Sequence, residues 1–195
     1  MSTARLEAFS DGVFAILITI LVLELKVPHG TDLAAVAPLL PVFLTYVLSF
    51  VILGIYWNNH HHMLQAADRI NGGILWANLH LLFWLSLVPF VTGWMGENHF
   101  ASLPTAAYGV VMVGAALAYT ILQNAITNEH GANSRLAQAI GSDWKGKASV
   151  ILYVIAIPLA FVQEMIADAC FVAVALIWLV PDRRIEAQIS REGRG

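Results

Sequence analysis

Apolar residues run along this chain in long blocks separated by short polar intervals, and most blocks approach the roughly 20 residues a helix needs to cross a bilayer. The first block, Gly12 to Leu23, follows acidic Glu7 and Asp11 and is closed by Glu24-Leu25-Lys26-Val27-Pro28. It is short for a crossing, so the pattern predicts a helix over 5–27 whose polar first turns sit in protein or water. No small-x-small cleavage pattern follows it, which argues against a removable signal peptide. A second span is expected over 38–61, with Pro38 and Pro41 in its opening turns, where a missing N–H costs little. The third, 71–95, contains no Asp, Glu, Lys or Arg, and Pro89 near its far end should kink or end it. The fourth, 104–126, opens on Pro104 and carries Gly109, Gly114 and Ala118, small residues that let helices approach closely. The run from Ala148 to Val180 is too long for one comfortable span and short for two. Gln163-Glu164 and Asp168 interrupt it, so a tight helical hairpin is expected, with arms 148–163 and 165–181. If those carboxylates lay mid-bilayer they would be costly, and no Lys or Arg lies nearby to pair with them.

The expected fold is therefore an all-α membrane protein: one domain, 1–195, of six transmembrane helices, with a polar, frayed tail from Pro181 to Gly195. Composition agrees. Of 195 residues 58% are hydrophobic and 12% charged, against roughly 45–50% and 25% in soluble domains, which excludes a water-soluble globule. The 10 basic and 13 acidic groups are scattered singly, so there is no basic footprint for a nucleic acid. Cys170 is the single cysteine and can form no intrachain disulfide.

The distribution of Lys and Arg sets the orientation. With six spans, Arg5, Arg69, Arg135, Lys145, Lys147, Arg183, Arg184, Arg191 and Arg194 share one side, and Lys26 alone lies on the other. Both termini are thus expected in the cytoplasm of a multi-pass protein of the cell membrane. Trp57, Trp94, Trp144 and Trp178 fall near span ends, where interfacial anchors belong, whereas Trp76 and Trp84 lie inside the third span.

Candidate chemistry concentrates on the first helix. Arg5, Glu7, Ser10 and Asp11 crowd its start, yet at 100° per residue Arg5 and Asp11 point about 240° apart and do not meet within one helix. Their partners are sought at the end of the second span, among Trp57, Asn58, Asn59, His60 and His61, and at Asn78 of the third. Further along, Gly12, Ile16, Thr19 and Leu23 share one face, with Ile20 on its shoulder. Such a face either packs against neighbouring helices or lipid, or, repeated about a symmetry axis, lines a pore.

His60-His61-His62 offers imidazoles that suit zinc or copper, but adjacent helical residues diverge by 100° and no Cys, Asp or Glu follows at ligand spacing. Hydrogen bonding is the expected role, and no metal or cofactor is assigned. Thr105-Ala106-Ala107-Tyr108-Gly109 echoes the carbonyl filter of tetrameric potassium channels only superficially, since it runs straight into a helix and has Ala107 where glycine is needed. No nucleophile elbow, Walker loop, zincin or dinucleotide motif occurs, so an enzyme is not expected.

Arg5-x-x-x-Phe9-Ser10-Asp11 followed directly by an apolar helix resembles the signature that opens the transmembrane protein 175 family, lysosomal potassium channels with prokaryotic relatives. Tyr56-Trp57-Asn58-Asn59-His60-His61 is similar to the Trp-x-x-His element that ends that family's second helix. Asn78-Leu79 with Val88-Pro89-Phe90 resembles its third-helix pattern. The likeness covers the first half of the chain; the second half agrees in length and hydropathy. It implies a six-helix subunit of a homotetramer whose first helices line a central pathway for potassium and other monovalent cations. By position, Ile16 would be the hydrophobic constriction and Thr19, Ile20 and Leu23 further pore layers. Arg5, Phe9, Ser10 and Asp11 would join Trp57, His60 and Asn78 in a polar network bracing the pore helix. His62 departs from the basic residue often found after the His pair. Proton leak along the same path is also implied, as in some relatives. The alternative is a membrane-embedded metal-binding or enzymatic protein using His60-His61-His62.

Overall fold

In a computed structural model of the chain, residues 2–67, 69–131 and 143–179 are described, and all regular structure among them is helical. Helix α1 spans Thr3–Leu21 and ends in a single 3₁₀ turn, Val22–Glu24. The chain then leaves the helix at Leu25, whose backbone is extended, so α1 is shorter than the 5–27 expected. Pro28 bars Val27 from the helical region and has no N–H to give the Glu24 carbonyl, so a regular helix through 27 could not be completed. A one-turn helix α2, Leu33–Val36, is capped by Asp32 and leads through a 3₁₀ turn at Ala37–Leu39 into α3, Leu40–Gln65. Pro38 lies in that 3₁₀ turn and Pro41 in the first turn of α3, as their missing N–H groups require.

The third apolar block is divided. Helix α4 covers Gly72–Ser86, with Asn71 accepting the Ile74 N–H as its N-cap, and α5 covers Val88–Glu97. Pro89 therefore does not finish the segment but opens its second half, the helix breaking at Leu87 just before it. Helix α6 is the longest, Ser102–His130. The final pair, α7 (Trp144–Leu159) and α8 (Glu164–Leu179), forms the expected hairpin, turning at 160–163. The polar tail lies outside the described residues.

Among the described residues, four stretches are long and apolar enough to cross a membrane: Thr3–Glu24, Leu33–Gln65, Gly72–Glu97 and Ser102–His130. The two hairpin arms have 16 residues each, about 24 Å of helix.

Helix α6 lies at the centre, packed against α4, α5, α7 and α8, while α1 leans on α3, α4 and α5. Phe14, Leu17 and Leu21 of α1 join Leu53, Leu81, Leu85, Met112 and Leu122 in one continuous core. Small residues allow the close approaches. A Cβ on Gly114 would run into the Trp84 indole, and one on Gly109 would meet Ile157 at 2.9 Å. Gly96 lets α5 rest on the backbone of Val42 in α3, where an added Cβ would come within 2.7 Å of its Cα.

Buried hydroxyls add a second fastening that the sequence reading missed. Thr92 spends its proton on the Val88 carbonyl at 2.7 Å, so at 2.6 Å it can only accept from Ser49. Ser49 must then accept from Tyr108 at 3.0 Å. The relay joins α3, α5 and α6 with every donor used. Net gains of about 0.5–1.5 kcal/mol per bond are modest, but an orphaned member would cost more.

Candidate functional site

The start of α1 is held against α3 and α4 by two separate sets of polar contacts. The inner one is buried. Ser10 donates to the Leu6 carbonyl one turn back at 2.9 Å and accepts the Asn78 amide at 3.0 Å. The Asn78 oxygen faces His60 Nε2 at 2.7 Å, so His60 carries its proton on Nε2 and donates. His60 Nδ1 has no partner, and the ring lies tilted against Phe14 with centroids 5.4 Å apart. Ser10, His60 and Asn78 are all fully buried. Their positions follow from periodicity: Leu6, Ser10, Phe14, Leu17 and Leu21 recur every three or four residues and form the inward stripe of α1.

The outer set lies toward the surface. Trp57 Nε1 donates to Asp11 Oδ1 at 3.0 Å, and His61 Nδ1 lies 2.8 Å from Glu7 Oε1. The Trp57 and His61 rings stack, with centroids 6.1 Å apart. Arg5 and Phe9 are exposed, and among the described residues no hydrogen bond or ion pair engages the Arg5 guanidinium. The structure thus brings Ser10, His60 and Asn78 into one cluster and Asp11 and Trp57 into another. Arg5 and Phe9 lie in neither.

The His triple splits: the His61 and His62 rings meet edge to face, with centroids 5.6 Å apart, and His60 points elsewhere. His60 turns inward to Asn78, and His61 turns to Glu7.

Among the described residues, nothing covers the opposite face of α1. Gly12 and Thr19 are exposed; Ile16 is 58%, Ile20 37% and Leu23 76% exposed, beside core residues of the same helix that are almost fully hidden. Thr19 donates its hydroxyl hydrogen back to the Ile16 and Ala15 carbonyls at 2.9 and 3.0 Å. Its oxygen lone pairs are left as the only polar acceptors that a side chain offers along the Ile16–Leu23 stretch of this face. Beyond Leu23 the chain end of α1 is anchored differently. Lys26 pairs with Glu97 at 2.5 Å, and the hydrogen bond and charge of Glu97 hold that ammonium above its ordinary pKa.

Comparison with known proteins bears on this arrangement. Residues 5–89, which contain both polar clusters and the uncovered face, match the family model described as endosomal/lysosomal potassium channel TMEM175. A potassium channel of Chryseobacterium sp. (strain P1-3) is 55% identical over 190 residues, covering 97% of this chain and 99% of that protein. The chain belongs to the TMEM175 family. The crystal structure of a lysosomal potassium-selective channel TMEM175 homolog from Chamaesiphon minutus superimposes with a TM-score of 0.80. That match has 29% identity and covers 91% of this chain and 96% of the homolog. The endosomal/lysosomal proton channel TMEM175 of Gallus gallus is 40% identical over 87 residues, 37% of this chain and 17% of that protein. With its apolar helices, the chain is a membrane protein.

The family is one of channels. Sequence reasoning offered Asn78 as a candidate partner for Arg5 and Asp11, whereas the structure joins it to Ser10 and His60. Sequence reasoning did not separate the two clusters, since that depends on which way α3 is rotated against α1.

Proposed function

We propose that this chain is the subunit of a potassium-permeable channel of the cell membrane. The subunit crosses six times, by the four long segments and the α7–α8 hairpin, with both termini in the cytoplasm; the reading is supported by nine of ten Lys and Arg falling on that side. Four copies assemble about an axis with the uncovered face of α1 turned inward, the homotetramer the sequence resemblance implies. The observation that carries this reading is that face itself: Gly12, Ile16, Thr19, Ile20 and Leu23 stand exposed on a helix whose other side is locked into the subunit core.

Around an axis, four Ile16 side chains form a dewetted constriction. Conduction then requires α1 to tilt or rotate until water enters. There is no carbonyl cage, so discrimination falls to partial dehydration at the throat and to the ring of Thr19 oxygens. A tenfold preference needs only about 1.4 kcal/mol, within reach of such a ring. Other monovalent cations and protons pass the same wetted throat to a lesser or greater extent as their hydration allows. The braces of Ser10, Asp11, Trp57, His60 and Asn78 keep the cytoplasmic half of α1 fixed, so that movement is confined to the half carrying Ile16 and Leu23.

The test is cation flux through purified protein in liposomes of defined lipid, driven in turn by potassium, sodium and proton gradients. Potassium flux above that of protein-free vesicles is expected. Vesicles containing assembled protein but impermeable to all three ions would refute the reading.

A further inference from the structure

Apart from the pore face, the most unusual cluster of chemistry is the outer one at the start of α1. Glu7 and Asp11 stand four residues apart on one face of that helix, and His61 reaches across from α3. One donor atom from each, two carboxylate oxygens and an imidazole nitrogen, lie within 4.8 Å of one another. We propose that Glu7, Asp11 and His61 form a binding site for a divalent transition-metal ion that clasps α1 to α3.

The donor set suits such an ion. One imidazole with two carboxylates matches zinc and its neighbours in the first transition row, whereas calcium and magnesium prefer oxygen alone. Zinc bonds of about 2.0–2.1 Å in tetrahedral geometry would set the donors roughly 3.4 Å apart, so the site closes by a movement of side-chain scale. Three protein ligands leave the fourth position to water.

The surroundings are those of a ligand cluster. His61 Nδ1 is buried and lies 2.8 Å from Glu7 Oε1, yet the two are not aligned as a hydrogen bond. On the far side of the ring, the Gln65 amide sits 2.9 Å from Nε2. With that amide turned so that its oxygen accepts the Nε2 proton, the Nδ1 lone pair is released toward the carboxylates. Trp57 binds Oδ1 of Asp11 and stacks on His61, orienting two of the three donors while leaving Oδ2 of Asp11 open. Two carboxylates face one imidazole, and the ion pairs among the described residues give neither a Lys or Arg partner. His60 takes no part, since its Nε2 is committed to Asn78.

The experiment is a titration of the purified full chain in detergent with zinc chloride, followed by calorimetry and, with cobalt as a spectroscopic substitute, by visible absorbance. One ion per subunit is expected. Glu7→Gln and His61→Ala should each weaken binding at least tenfold, and His80→Ala, which removes an exposed α4 imidazole bonded to Trp84 and outside the cluster, should bind as the native chain does. Zinc should raise the unfolding temperature of the native protein and of His80→Ala but not of His61→Ala, which guards against loss of binding through misfolding. No saturable binding by the native chain, or equal binding by Glu7→Gln and His61→Ala, would overturn the proposal. Binding is read on protein that need not conduct, so failure of the pore reading would leave this result distinct.

Discussion

The Asn78 side chain donates to the Ser10 hydroxyl at 3.0 Å, inside the subunit and fully shielded from solvent, and so links the first helix to the fourth. Because Ser10 passes its own proton to the Leu6 carbonyl and His60 donates to the Asn78 oxygen, the amide serves both neighbours at once. Asn78→Ala leaves the Ser10 oxygen and the His60 Nε2 proton unsatisfied. Each buried orphan costs about 1–3 kcal/mol, so a loss of about 2–6 kcal/mol is expected. Thermal unfolding in detergent reads it as a melting temperature several degrees lower, and an unchanged value would show that the cluster does not brace α1.

Gly114 supports a different joint. Its missing side chain makes room for the Trp84 indole between α4 and α6. Gly114→Ala should destabilise by about 1–3 kcal/mol, the usual range for overpacking. Combining it with Trp84→Leu should recover part of that loss, because the two residues share one space. Strict additivity in the double variant would contradict the packing described.

Thr19 presents its oxygen outward because its hydrogen is bound to the backbone of its own helix. Thr19→Val keeps the shape and removes that oxygen. In the proposed pore the preference for potassium over sodium should fall toward unity while flux persists, as measured by reversal potentials in planar bilayers. A preserved ratio would move selectivity elsewhere.

Much of this was readable from the chain because bilayer crossing is a coarse constraint. A helix has to satisfy its backbone internally and be long enough, so apolar blocks bounded by Pro28, Pro104 and Glu164 located the helices to within a few residues. The division at Leu87 was harder, since Pro89 marks a break without telling on which side of it the helix resumes. The relay through Tyr108, Ser49 and Thr92 was invisible for another reason. Single hydroxyls in apolar helices usually bond within their own turn, as Thr19 does, and only tertiary packing decides which of them face each other. The nearness of Glu7 to His61 is of the same kind: spacing aligns Glu7 with Asp11, but the rotation of α3 supplies the imidazole.

The central claim is that copies of α1 meet at Ile16 and that this residue closes the pathway. Its most direct test is potassium flux into liposomes carrying native protein or Ile16→Asn at equal density and verified assembly. A polar side chain should wet the constriction and raise flux at least several-fold. Equal flux from the two proteins would contradict the claim and place the barrier away from Ile16.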